Sequence, residues 1–116
     1  MAGAPPLTHR AADFRGVSSP VLRDSAALAG LLLSAAGAAG LTTIESPIVR
    51  VLPRDGLAVI LLLDLGHVAL HTMPARELAV VDLLVAADRN PQTAVDVFAR
   101  KFGVAEARAG RALDRG

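Results

Sequence analysis

Residues 66–74 (GHVALHTMP) hold two of the chain's three histidines, four apart on a stretch that alternates as a β-strand does. Imidazole is the side chain best suited to carrying protons or holding a metal near neutral pH. Residues four apart on a strand share a face but stand roughly 13 Å apart at about 3.3 Å rise per residue. One zinc needs each ligand at ~2.0 to 2.1 Å, so His67 and His71 form no metal pair within one protomer. His67 and the third histidine, His9, read as structural or surface residues. Asp82 interrupts the apolar run LAVVDLLVA, either as a buried hydrogen-bonding residue or as the outward-facing member of the alternation. Asp64 reads as a turn acid.

Other chemistries are excluded by what the sequence lacks. The chain has no cysteine, which removes disulfides, thiolate metal sites and thiol catalysis together. It has no Gly-rich phosphate loop, GxSxG elbow, HExxH or informatively spaced carboxylate pair. Its 12 basic and 11 acidic residues are scattered, and aromatic residues make up only 3%. With neither a basic stripe nor a stacking platform, no nucleic-acid partner is expected. The apolar stretches at residues 26–41 and 56–63 fall short of the ~20 residues that cross a bilayer. The opening MAGAPPLTHR lacks the apolar core of a secretory signal. A cytoplasmic protein with no membrane partner is the expectation.

The elements that must position the histidines follow from pattern and punctuation. At 116 residues and 53% apolar, the chain suits one core, with residues 1–6 a flexible start and residues 7–116 a single domain. Residues 7–14 (LTHRAADF) alternate poorly and read as a first edge strand, and residues 16–20 as a turn. Asp24 or Ser25 can cap a helix running to about Ala39. Leu28, Leu31, Leu32 and Ala35 share one face of it, Leu33 lies off that face, and Gly40 ends it. Its many small residues suggest close packing on a sheet.

Residues 42–52 are rich in β-branched side chains but interrupted at Pro47, which implies an edge strand or bulge. PRDG at 53–56 is a turn in which Pro presets φ and Gly permits positive φ. The continuous apolar run at 56–63 has the character of a central strand covered on both faces. Strands at 67–73 and 78–86 follow, joined by a turn at 74–77. Asn90 and Pro91 start a second helix that buries Ala94, Val95, Phe98 and Phe102 and closes at Gly103. Residues 104–113 suit a last strand, kept soluble by Glu106, Arg108 and Arg111. The order predicts an α+β two-layer sandwich, an antiparallel sheet with two helices on one face. With so few charges over residues 57–86, the sheet can offer an apolar face to a second copy or a related subunit.

This order, and the strand at 66–74, resemble the prokaryotic S-adenosylmethionine decarboxylases, small self-cleaving pyruvoyl enzymes of polyamine (spermidine) synthesis. That family's strand reads roughly ESHLxIHTWPE, followed by a strand ending in TCG and a helix opening with DPW. Here the matching text is LGHVALHTMPA, LAVVDLLVAA and RNPQTAVDVFARKF. His67, His71, Thr72, Pro74 and Asp82 coincide with family residues. So do Ser46, Arg50, Leu52, Pro53 and Gly56, with one extra residue, and more weakly Asp13-Phe14 and residues 114–116.

The resemblance implies that a Glu-Ser bond breaks when the serine hydroxyl attacks the preceding carbonyl. Elimination then turns that serine into the pyruvoyl group that forms a Schiff base with substrate. Leu65 and Gly66 stand at those two places. Glycine has no hydroxyl, so no pyruvoyl group is expected and no other cofactor is implied. The family's proton-donor cysteine falls on Ala86, a serine of the preceding strand on Ala58, and the adenine-stacking aromatics on Val51 and Met73. Asp13 falls among the substrate-binding positions. His71, at the place of the processing histidine, is the catalytic position kept, with a solvated histidine the plainer alternative. Glu45-Ser46 is literally a Glu-Ser pair, but it falls one strand too early and precedes Pro47, so it reads as a strand pair with a surface carboxylate.

Three functions follow. The first is a family member without self-processing that serves as a binding or regulatory subunit. It would work as a homodimer or paired with an active relative, with S-adenosylmethionine or a related nucleoside as ligand. The second is a decarboxylase of S-adenosylmethionine or an amino acid acting by an unrecognised route. The third is a non-catalytic structural or interaction domain. Leu65→Glu with Gly66→Ser is the natural reversal; slow cleavage is the outcome the resemblance allows, with Ala58 and Ala86 as obstacles.

Overall fold

The computed structural model describes residues 6–104, 108–109 and 113–115, and along its first strand, β1 (Leu7–Arg15), every second side chain is buried. The alternation is strict although the sequence hides it, because Thr8 and Arg10 fill two of the buried slots beside Ala12 and Phe14. Arg10 is tied down by Gln92 Oε1 at 3.1 Å and by the Ala11 carbonyl. The strand is not the edge that was expected. It has β5 along one side and two short strands, β6 (Arg108–Ala109) and β7 (Leu113–Arg115), along the other.

The turn expected at 16–20 holds the start of a short helix, α1 (Ser19–Leu22), with Pro20 in its first turn. The helix α2 (Ser25–Ala38) begins as expected, with the Asp24 carboxylate accepting from the Ala27 N–H at 3.1 Å. Gly40, at φ +70°, ends it, and the Leu41 N–H returns to the Ala36 carbonyl at 2.9 Å. Leu28, Leu31, Leu32, Ala35 and Ala36 form its buried face, and Leu33 is exposed. Gly30 and Gly37 face open space, so only the alanines serve the close packing expected of its small residues.

The strand expected at 42–52 shortens to β2 (Ile48–Val51), which among the described residues is an edge paired with β3, while Thr43 makes an isolated bridge to Leu63. Pro53–Asp55 is a tight 3-10 turn, but its positive φ falls on Arg54 and Asp55, not on Gly56. Gly56 sits at φ −68°, and the backbone explains its type: a Cβ there would come 2.6 Å from the Thr72 carbonyl oxygen. The strands β3 (Leu57–Leu62), β4 (His67–Met73) and β5 (Leu78–Ala86) follow as an antiparallel meander. Asn90 caps α3 (Pro91–Phe102) by accepting from the Gln92 N–H at 3.0 Å, and Gly103 closes it at φ +69°. The last strand expected at 104–113 is represented by β6 and β7; Glu106 and Arg111 lie outside the described residues.

The result is an α+β two-layer sandwich, all pairings antiparallel, with sheet order β2-β3-β4-β5-β1 and β6 and β7 beyond β1. Both long helices lie on one face. Phe14, Val59, Leu61, Leu70, Val81 and Leu83 meet Leu28 and Leu32 of α2 and Val95 and Phe98 of α3 there, all of them buried. Phe14 and Phe102 pack edge to face at 5.4 Å between ring centres. Among the described residues no helix covers the other face of β3; Ile60 and Leu62 are half-buried, so cover on both sides by these residues does not explain the apolar run. Among the described residues no helix is long and apolar enough to cross a membrane.

Two substitutions test this packing. Phe98→Ala is expected to cost about 3 to 5 kcal/mol by emptying the helix-sheet interface. Gly30→Ala, in an exposed helix interior with open space around it, is expected to gain about 0.5 to 1 kcal/mol. Denaturant unfolding of both variants measures both signs.

Candidate functional site

The chemistry-bearing residues collect on the uncovered sheet face, and register decides which of them meet. His67 pairs with Leu84 from one side and His9 pairs with it from the other. Asp82, two residues before Leu84 on the same face of β5, therefore lies between two imidazoles. His67 Nε2 is 2.9 Å from one oxygen of Asp82, and His9 Nε2 lies against the other. A carboxylate only accepts, so each ring donates to it from a protonated Nε2. Burial alone would raise the Asp82 carboxyl. The hydrogen bonds from His67 and His9, with the positive charge those rings can carry, outweigh that and hold it below the usual aspartate value of 3.8.

Asp82 is thus both of the alternatives the sequence offered, outward-facing and hydrogen-bonded. His9 and His67 are not isolated surface residues; their side chains are only 23% and 34% exposed. No local sequence signal marks the trio. Only the pairing of β1 with β5, which links residues 73 apart, brings His9 to Asp82. Among the described residues no group of three or more His, Cys, Asp or Glu side chains can hold a metal ion.

His71 is exposed in the middle of β4, between Ala58 of β3 and Val80 of β5. Asp13 lies beyond Val80 in the same cross-strand row, about 10 Å from His71 at two strand spacings. Arg50 ends that row on the opposite side, next to Ala58. Thr72, one of the residues coinciding with the family strand, is buried on the helix face. Its hydroxyl donates to the Leu22 carbonyl at 2.9 Å and accepts from the Leu57 N–H at 3.0 Å, which ties α1 to the sheet.

Leu65 and Gly66 form the β3–β4 turn, closed by the Leu63 N–H bonded to the Gly66 carbonyl at 3.1 Å. Gly66 sits at φ +98° with its Cα pressed against β5. A Cβ there would overlap the Leu84 carbonyl oxygen and lie 2.7 Å from its carbon. Leu65 and Ala86 share the wall of a small cavity of about 230 Å³, with Asp64, Asp88 and Arg89 at its rim. The Asp64 N–H is bonded to the Thr42 carbonyl at 2.9 Å, as suits a turn residue. The structure therefore brings Leu65, Gly66 and Ala86 to one end of the sheet, while His71 lies further along β4.

At the other end, Val51 and Met73 fall on opposite faces. Val51 pairs with Leu57 on the helix side, at the exposed edge, and Met73 pairs with Leu78 on the open side. Beside Met73, but without Val51 in its lining, is a larger cavity of about 500 Å³, lined by Leu52, Arg54, Thr72, Met73, Pro74 and Arg76 among others. That is within the range of small-molecule sites.

The chain matches the family described as S-adenosylmethionine decarboxylase over residues 8–116. It is similar to the S-adenosylmethionine decarboxylase proenzyme of Brevibacillus brevis, 33% identical over 89 residues, covering 76% of this chain and 66% of that protein. The proenzyme of the same name from Pyrobaculum neutrophilum is 29% identical over 95 residues, covering 81% and 77%. That from Thermoplasma acidophilum is 31% identical over 91 residues, covering 78% and 67%. The match thus spans just under two thirds of the Brevibacillus protein. The crystal structure of the adenosylmethionine decarboxylase from Aquifex aeolicus superposes with a TM-score of 0.84 at 26% identity, over 98% of this chain and 93% of that one.

The Asp82 network predicts an acid-sensitive component of stability. A lowered carboxyl contributes stability that is fully present above its unfolded value and is lost as pH falls through its folded value. The wild type is therefore expected to lose stability below pH 3.8 in a component that Asp82→Asn lacks. At neutral pH the variant is expected to be less stable by about 1 kcal/mol, discounted for partial exposure. Urea midpoints measured from acid to neutral pH check both.

Proposed function

The chain belongs to the S-adenosylmethionine decarboxylase family, and from that premise we propose that it is a member unable to build the pyruvoyl group, acting in the cytoplasm as a binding or regulatory subunit of polyamine synthesis. The observation that carries this reading is residue 66. Under the match of LGHVALHTMP to the family strand, Gly66 occupies the place of the serine that must attack and then eliminate. Glycine supplies neither the attacking oxygen nor the Cβ–O bond whose elimination must precede formation of the ketone at Cα. The backbone supports the same reading, because at φ +98° against the Leu84 carbonyl there is no room for any side chain. A pyruvoyl group does not fit the residues present, and no catalytic step is routed through one.

The rest of the proposed site is consistent with lost chemistry and kept shape. Leu65 replaces the cleavage-site glutamate and Ala86 the proton donor, in one cavity that neither can serve as acid or base. His71 stays on the open face, exposed and without a nucleophile beside it. At the other end, the cavity of about 500 Å³ beside Met73 favours a ligand-binding role over a purely structural one. Of the two stacking positions only Met73 lines this cavity, and it provides no aromatic face, so S-adenosylmethionine or a related nucleoside would bind there without the ~0.5 to 1.5 kcal/mol that an aromatic contact gives.

Pairing through the open face is part of the proposal. Ile60, Leu62, Val80 and Leu84 stand half-buried on it. Asp13 and Arg50 sit at opposite ends of one cross-strand row whose middle strand is β4. A copy turned by a two-fold axis along β4 lays its Arg50 over Asp13 and its Asp13 over Arg50, a self-complementary arrangement of the kind that two-fold interfaces require. A homologous active subunit with the same row would fit the same way.

Mass spectrometry of the purified chain is expected to show one intact polypeptide, and calorimetry to detect S-adenosylmethionine binding. Two fragments, the C-terminal one beginning at residue 66 with a ketoacyl group, would overturn the reading. The reversal Leu65→Glu with Gly66→Ser is not expected to restore cleavage, contrary to what the resemblance alone allows. A serine Cβ at position 66 must push β4 away from β5, at a cost on the order of 3 kcal/mol or more. The melting temperature should fall by roughly 10 °C.

A further inference from the structure

We propose that the His9–Asp82–His67 cluster makes pairing of the open sheet face with a second copy depend on proton uptake. The inference rests on the pairing proposed above and adds a role for three side chains that neither the fold nor the lost pyruvoyl chemistry requires. Asp82 is shared by two imidazoles across three strands, and its side chain remains 40% exposed in the single chain. With both rings neutral, the cluster carries one negative charge. One proton taken up by either ring makes it neutral, and a second makes it positive.

What covers the cluster decides which form the pair prefers. In the two-fold arrangement, β5 lies over β3 of the second copy and β1 over its β2. Asp82 is then placed opposite Ile60 of the second copy, and the neighbouring Ala11 opposite its Ile48. An apolar cover removes water from the carboxylate and supplies no donor in return. A net charge is costly there, whereas an internally neutral, hydrogen-bonded group is far less so. Pairing is therefore coupled to one proton per protomer wherever the free chain holds both rings neutral.

The other charges on this face do not supply that compensation. Asp13 is two residues from Ala11 on β1, with Arg15 beyond it; β6 sets Arg108 opposite Asp13, and β7 sets Arg115 opposite Leu7. On β4 the titratable groups are His71 and His67 itself, which would meet the His71 and the His67 of the copy across the axis. On β3, Ala58, Ile60 and Leu62 carry no charge, and on β2 Arg50 is matched to Asp13 of the copy. Arg10 points to the opposite face. Within its own layer, the carboxylate of Asp82 has only the two imidazoles as partners among the described residues.

The dimer dissociation constant, measured by analytical ultracentrifugation, provides the test. Between about pH 8 and about pH 6.5, across the imidazole range, pairing of the wild-type chain should tighten by about 10-fold or more. The limit is about 100-fold per pH unit, for two protons per dimer. Asp82→Asn should pair at the higher pH about as tightly as the wild type does at the lower, with no gain on acidification. His9→Gln keeps one titrating ring and should retain the gain, the double variant His9→Gln with His67→Gln should lose it, and His71→Gln should leave it in place. A paired wild type whose dissociation constant does not change with pH, or a gain that survives in the double histidine variant, overturns the proton linkage alone. A chain that stays monomeric at every pH and concentration overturns the pairing reading and this proposal with it. The variants lacking histidine keep the test valid should Asp82→Asn fail to fold.

Discussion

The position of β4 between β3 and β5 is the constraint on which the rest of the molecule depends. A slip of one residue would turn every side chain on the strand to the other face. It would bring Val68, Leu70 and Thr72 out of the core and push His67 and His71 into it. Two backbone approaches help lock the register. Gly66 lets the turn close directly against the Leu84 carbonyl, and Gly56 lets the β2–β3 turn lie against the Thr72 carbonyl. The Thr72 hydroxyl adds a third tie by joining Leu22 and Leu57 from beneath the sheet. Each of these depends on a small or specifically hydrogen-bonding residue, and none on hydrophobic area.

With the register set, the two faces of the sheet have different tasks. The face under α2 and α3 holds the large side chains, Phe14, Phe98 and the leucines, and supplies the burial that holds the fold. The open face mixes half-buried aliphatic residues with charged and titratable groups, His9, Asp82, His67, His71, Asp13 and Arg50 among them, in adjoining rows. The first three are bound to one another. A layer of this kind keeps its charge state responsive to what lies over it, because the groups are neither fully solvated nor fully enclosed.

Much of the architecture was legible in the sequence because its signals are local. Asn90-Pro91 and Gly103 bracket α3, Asp24 and Gly40 bracket α2, and the apolar runs mark β3 and β5. What was not legible depends on partners distant in the chain. The alternation of β1 is hidden because Arg10 and Thr8 occupy core slots, a choice that makes sense only once Gln92 of α3 and the strands beside it are in place. The same distance concealed the Asp82 trio. The turn at 53–56 was placed correctly but explained wrongly, since Gly56 is required by the approach of Thr72 and the left-handed backbone falls on Arg54 and Asp55. The two strands at the C-terminal end could not be separated by pattern, being two and three residues long.

Position 66 joins these threads. Read from the sequence alone, a glycine in place of a serine is the loss of one hydroxymethyl group, which a single substitution would put back. In the folded chain that glycine is also the residue that allows the β3–β4 turn to settle onto β5, bringing His67 beside Leu84 and within reach of Asp82. Under the proposed reading, the chemistry and the space for it were lost together, and the space was filled by backbone contact that now contributes to the fold. Restoring the hydroxyl would thus set catalytic geometry against strand pairing. The strand pairing has the advantage, because it is supported along the full length of β4 on both sides.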